Sequence, residues 1–194
     1  MENESRSVCL SRLRKTCLAC AKCSIGGCDI DGCISNVFSN MNMKANVVVV
    51  GQNPGATEIQ RGLPFVGPSG LFFDNALKQV LGVGRELFYV TNVVKCFSPG
   101  NRSPHDQEIQ NCRYILDEEI RVLKPNLIIT LGGPSLKAIA GLSGISKIHG
   151  QIVSSLRYSV PVLPMWHPSP LNMNSQEKRL QFFEDLLKVK SYLG

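Results

Sequence analysis

Val47-Val48-Val49-Val50-Gly51-Gln52-Asn53-Pro54-Gly55-Ala56-Thr57-Glu58 joins four β-branched residues to an abrupt Gly/Asn/Pro/Gly turn. Valines on both faces fit a parallel strand covered on both sides. The Gly-x-Asn-Pro-Gly that follows lets backbone approach a ligand at the strand's carboxyl end. By itself the stretch fits an ordinary buried strand and turn equally well, so its meaning rests on what surrounds it.

Outward from it the chain alternates. A strand over 46–50 leads through Pro64-Phe65-Val66-Gly67-Pro68 to a helix capped by Ser69 and running to about Leu81. Leu87 to Lys95 is aromatic and β-branched and reads as a second strand. A helix opening at Ser103-Pro104, with Asp106 and Glu108 in its first turns, should run to Leu123, where Pro125 follows. Leu127–Leu131 is a third buried strand, followed by a helix started by Pro134 and ending near Ala140. Val160–Trp166 reads as a fourth, preceded by a short antiparallel strand within 151–156. The tail from Gln176 to Tyr192 carries apolar residues at helical spacing. Strand and helix in alternation predict one α/β domain, a central four-stranded parallel sheet with helices on both faces.

The 194 residues suit a single core, and 43% hydrophobic content is that of a globular protein. No apolar run reaches the roughly 20 residues of a membrane span, and Met1–Arg6 lacks the apolar core of a secretion signal. A soluble, intracellular monomer is expected. A formal charge of +6 allows an anionic partner such as nucleic acid without requiring one. Eight cysteines in such a chain point to metal rather than disulfides. Six of them fall in residues 1–45, where a short helix over 11–21 and a metal-organised loop are expected.

In an open parallel sheet ligands bind beyond the carboxyl ends of the strands. Gln52-Asn53, Asn92 and Trp166-His167-Pro168-Ser169-Pro170 all fall there. An Asn amide presents a donor beside an acceptor, matching the O4 and N3–H of uracil and mismatching cytosine. Asn92 is therefore a candidate reader of a base. His167, between prolines, is placed to donate to a carbonyl oxygen that gains charge as the base departs. Phe65 offers a stacking face, and Asn53 a position for water behind the sugar. Such a set suits cleavage of an N-glycosidic bond.

Five segments in order, Gly51–Glu58, Gly62–Gly70, Thr91–Cys96, Gly100–Pro104 and His167–Pro170, resemble the motif set of the uracil-DNA glycosylase superfamily, specifically its iron–sulfur family 4. The resemblance spans about residues 17–170. It implies a DNA glycosylase that flips uracil, or another deaminated base, out of single- or double-stranded DNA and hydrolyses its bond to the sugar, initiating base excision repair. Asn53 and His167 would be catalytic. Gln52, Gly55, Phe65 and Asn92 would bind the base. Arg102, Lys95 and Ser169 with the loop beyond it would contact DNA. Two residues depart from family 4: Gln52 stands where Glu is usual, and Asn53, where a small residue is usual, resembles the mismatch-directed branch and its water-positioning Asn. Gly55 leaves open the space that a bulky side chain fills beside uracil C5 in the strictest uracil enzymes. His149-Gly150 lies where Arg-Gly is common.

The resemblance also implies a [4Fe–4S] cluster held by Cys20, Cys23, Cys96 and Cys112, with Cys17 an alternative in the first pair. From the residues alone the site is a thiolate site that suits either a cubane or zinc. Cys9, Cys28 and Cys33 are expected to be ordinary thiols rather than ligands of a second cluster. The contrasting reading of charge and cysteines is a non-enzymatic, metal-stabilised nucleic-acid-binding module. A nucleotide-binding enzyme ranks last, because no Lys-Ser/Thr follows the Gly51 loop.

Overall fold

The computed structural model describes residues 5–25 and 36–193. Its strands are β1 (Val47–Gly51), β2 (Phe88–Asn92), β3 (Leu127–Leu131), β4 (Val153–Ser155) and β5 (Val160–Met165), in the order β2-β1-β3-β5-β4. The first, second, third and fifth run parallel, as expected, and β4 pairs antiparallel with β5 at the edge. The helices are α1 (Arg6–Leu18), α2 (Ala56–Arg61), α3 (Pro68–Ala76), α4 (Asp106–Leu123), α5 (Gly133–Ala140), α6 (Ile145–Ile148), α7 (Pro170–Met173) and α8 (Gln176–Leu187).

The valine run explains the layering. Alternate side chains of a strand point to opposite faces. Val48 and Val50 therefore join Tyr89 and Ile128 under α1, α4 and α5. Val47 and Val49 join Phe88, Leu127 and Ile129 under α3 and α8. All four valines are fully buried. Burying one such side chain contributes roughly 1.5–3 kcal/mol, which makes this strand the centre of both cores.

Several boundaries differ from expectation for local reasons. The first helix begins at Arg6 rather than near residue 11, because Ser5 caps it by accepting from the Val8 N–H. Ser69 is not a cap: Gly67 takes that position and Pro68 starts α3. That helix continues as a π-helical turn over Leu77–Leu81. The second strand ends at Asn92, and the next helix begins at Asp106 after His105. Glu108 turns back to accept from the His105 N–H at 2.7 Å, which fixes that start. The 36–42 segment runs antiparallel along β2, bridging Asn36 to Cys96 and Ser39 to Thr91. Cys28 and Cys33 lie outside the described residues. Among the described residues no helix is long and apolar enough to cross a membrane.

Candidate active site and thiolate cluster

Register brings the functional side chains to one level. Gly51 pairs with Asn92 and Leu131 with Met165, so the loops after all four parallel strands leave the sheet together. Because β2 and β3 flank β1 on opposite sides, the Gly51 loop opens at the switch in strand order. A cavity of roughly 630 Å³ lies there. Gln52, Asn53, Gly55 and Phe65 line it together with Asn92, His167 and Ser169. Seven of the nine expected base- and DNA-contacting residues thus share one cavity.

Gly51 makes this possible. A Cβ there would collide with both the Phe65 ring and Asn92 Oδ1. Phe65 adopts φ +53°, a conformation unfavourable for an aromatic residue, and is held in it from outside. Arg85 donates to the Pro64 and Phe65 carbonyls at 3.2 and 2.5 Å and pairs with Asp74. The Phe65 and His167 rings stand 6.3 Å apart. Asn92 is 1% exposed, and its Oδ1 has no hydrogen-bond partner among the described residues. An unpaired buried acceptor costs about 1–3 kcal/mol, so this one is set for a donor arriving in the cavity.

His167 is aimed by its surroundings. Its carbonyl accepts from Asn172 Nδ2 at 3.0 Å, and Gly132, at φ +91°, leaves its Cβ room. Burial holds the imidazole below its ordinary pKa, with Glu58 opposing weakly, so it is neutral at pH 7 and keeps one N–H to donate. Gln52 accepts from Ser103 Oγ at 3.4 Å, and Asn53 Nδ2 donates to the Pro54 carbonyl at 3.2 Å. At Gly55 the neighbouring space is taken by Glu58, whose Oε2 would lie 2.9 Å from an added Cβ.

Glu58 itself was not singled out in the sequence. Its carboxylate accepts from the Gly55, Val66 and Gly67 N–H groups at 3.1, 2.9 and 2.7 Å, tying the first loop to the Phe65 loop. The only signal was an acid three residues after Gly55, which reads as a helix-start residue. Asn101 and Ser103 of the Gly100–Pro104 motif and Asn172 of the loop beyond Ser169 also line the cavity, although none was assigned a role of its own.

Two expected phosphate contacts lie elsewhere. Lys95 is 1% exposed and pairs with the fully buried Glu119 at 2.5 Å, so no phosphate reaches it. Its ammonium also donates to the Asn92 carbonyl at 2.9 Å. Tyr89 and Thr91 oxygens complete the surroundings of Glu119. Arg102 is outside the cavity lining and forms a two-pronged pair with Glu108 at 2.9 and 2.7 Å. His149 pairs with Asp185 at 2.8 Å and lies against Trp166.

The cysteines gather on the α1–α4 side. Cys96 and Cys112 are buried, and burial pushes their thiols up to about 12 and about 11. Cys112, Cys20 and Cys23 all stand near enough to Cys96 to raise it further. Helix α4 reaches back to the first pair: Tyr114 OH lies 3.6 Å from Cys20 Sγ, and Asn111 Nδ2 3.5 Å from Cys23 Sγ. Cys17 differs. It continues the buried stripe of Leu10 and Leu13 on α1 and is 1% exposed. Among the described residues no three such groups surround one point as ligands of a single ion do. A cubane asks something else, one thiolate for each iron. Donors of this type, brought from two segments beside Cys96, fit such a group, whose positive charge would reverse the upward pull on the thiols.

Comparison with known proteins identifies the family. Residues 38–189 match the model of the Uracil DNA glycosylase superfamily. The chain is 30% identical over 188 residues to the type-4 uracil-DNA glycosylase of Sulfurisphaera tokodaii, covering 93% of this chain and 83% of that protein. It is 36% identical over 160 residues to the type-4 enzyme of Thermotoga maritima, covering 81% and 82%. With that of Archaeoglobus fulgidus it shares 31% over 175 residues, covering 86% and 87%. With its sheet, its switch-point cavity and this match over most of its length, the chain belongs to the uracil-DNA glycosylase superfamily.

Proposed function

We propose that the protein is a uracil-DNA glycosylase that hydrolyses the bond between uracil and deoxyribose, initiating base excision repair. The observation that carries this reading is Asn92 Oδ1, a buried acceptor without a partner at the edge of a cavity that Phe65 also lines. The N3–H of uracil supplies the missing donor, while cytosine would present a lone pair to it and leave both groups unpaired. As the C1′–N1 bond lengthens, the electron pair moves onto the base and the neutral His167 N–H stabilises the charge at O2. Water held by Asn53 then bonds to C1′ and gives up a proton, the uracil anion takes one up from solvent, and free uracil and an abasic site result.

The whole chain is read as one such domain, acting as an intracellular monomer on single- or double-stranded DNA, with residues 1–45 packed on it. Cys20, Cys23, Cys96 and Cys112 would hold a [4Fe–4S] cluster whose role is to fasten the N-terminal segment to α4. The hydrogen-bond donors of Tyr114 and Asn111 beside Cys20 and Cys23 favour that pair over Cys17. Visible sulfur-to-iron absorption, which zinc lacks, distinguishes the two metals.

The decisive test incubates the protein with oligonucleotides carrying one uracil, thymine, hypoxanthine or xanthine, then adds alkali. Strand breaks at uracil are expected, and their rate should fall roughly 100- to 1,000-fold in His167→Ala, by analogy with removal of an oxyanion donor. DNA binding without breaks at any of these bases would instead establish the non-enzymatic module.

A further inference from the structure

A second groove, of roughly 470 Å³, is lined by α1, by the 36–41 segment and by Gly62 and Leu63. It adjoins the base cavity through the chain itself. Glu58 and Phe65 line the cavity, and the two residues between them that line the groove place Leu63 Cα within about 7 Å of Phe65 Cα. The segment that bears Phe65 therefore also bears one wall of the groove.

The groove is built for a polyanion with apolar parts. Between Arg6 and Leu18, α1 carries Arg6, Arg12, Arg14 and Lys15 and no acid. Arg6 donates to the Met43 carbonyl, and Arg12 stands near Glu118. Arg14 and Lys15 are exposed and form the groove wall, with the exposed side chains of Leu18 and Leu63 beside them. On the floor, Asn36 is 3% exposed: its Nδ2 donates to the Cys17 carbonyl, while Oδ1 has no partner among the described residues. A positively charged wall, two apolar faces and an unused acceptor match phosphate, sugar and the N–H of a base.

We propose that this groove carries the DNA strand flanking the excised nucleotide, with Arg14 and Lys15 on its phosphates and Leu18 and Leu63 against its sugars or bases. The proposal rests on the glycosylase reading and extends the substrate site of that enzyme along α1.

The test measures binding of single-stranded oligonucleotides carrying 2′-fluoro-deoxyuridine, whose glycosidic bond resists cleavage, lengthened stepwise on the 5′ or 3′ side and titrated over salt. Wild type should gain affinity as one side is lengthened. Arg14→Ala/Lys15→Ala should lose that gain, and its log Kd against log salt should be shallower by about 1.4, at ~0.7 for each single-strand phosphate. Lys78→Ala/Lys190→Ala removes the same charge from the opposite layer and should keep the wild-type slope. Equal slopes and equal length dependence in wild type and Arg14→Ala/Lys15→Ala, or an equal loss in the control, overturn the proposal. Base release from plain deoxyuridine is followed in parallel. If wild type releases none while the slopes differ as expected, the glycosylase reading fails and the groove stands as a nucleic-acid strand site.

Discussion

At the scale of single residues, the site depends on groups kept short of partners or held in unfavourable states. His167 is kept neutral by burial, so its ring protons followed by NMR should titrate below the ordinary 6.5. The unfolded chain takes up that proton first as pH falls, so this residue lowers stability below 6.5 and contributes nothing to pH dependence above it. A titration at or above the ordinary value would contradict the assignment of a neutral donor. Glu58 holds three backbone N–H groups from two loops, and Glu58→Ala should leave them unpaired. Loss of about 2–3 kcal/mol in urea unfolding is expected, with a raised KM for uracil-bearing DNA as Phe65 is released. An unchanged KM would mean that Arg85 alone fixes the Phe65 loop.

Elements carry the next level of control, and α4 carries most of it. It bears Cys112, reaches Cys20 and Cys23 through Tyr114 and Asn111, and supplies Glu119 to Lys95 beneath the Asn92 carbonyl. Lys95→Met leaves Glu119 buried and unpaired and should cost about 3–5 kcal/mol, whereas Lys95→Met/Glu119→Leu should recover most of that loss. Denaturant melts of both variants decide it; a double variant no better than the single would show that the ammonium acts through Asn92 rather than through charge pairing. The strands were legible in the sequence because continuous valine and isoleucine runs have few alternatives, and Leu127–Leu131 falls on the expected residues. Asn92 and His167 were legible because strand ends in a parallel sheet share a level. Glu58, Asn172 and the buried state of Lys95 were not. Their partners come from 5 to 24 residues away through pairings that no local pattern encodes, as with Lys95 and Glu119 or His167 and Asn172. Helix α2 escaped notice because it spans only Ala56–Arg61 and has no buried residue to give a period.

Over the whole molecule, acid should act through the loop between β2 and α4. Arg102 holds Glu108 from 4.5 down to about 2, and the His105 N–H assists. The pair's contribution is therefore complete above 4.5 and is lost as pH falls toward about 2. Arg102→Ala should move the acid-unfolding midpoint upward and flatten the stability profile in that window; an unmoved midpoint would show that the pair adds nothing. The sheet poses a different problem at its margins. Its β4 margin is only three residues long, but β2 is a full strand of aromatic and β-branched residues, and the 36–42 segment covers it through backbone bridges and Asn40, which exchanges hydrogen bonds with Phe88 and Val90. That cover follows the cysteine-rich segment in sequence, so the proposed cluster, by fastening that segment, would also help keep a hydrogen-bonding edge out of reach of other copies. Stripping the metal should accordingly be seen first as light scattering that grows with protein concentration, before any change in the helical signal of α4 and α8.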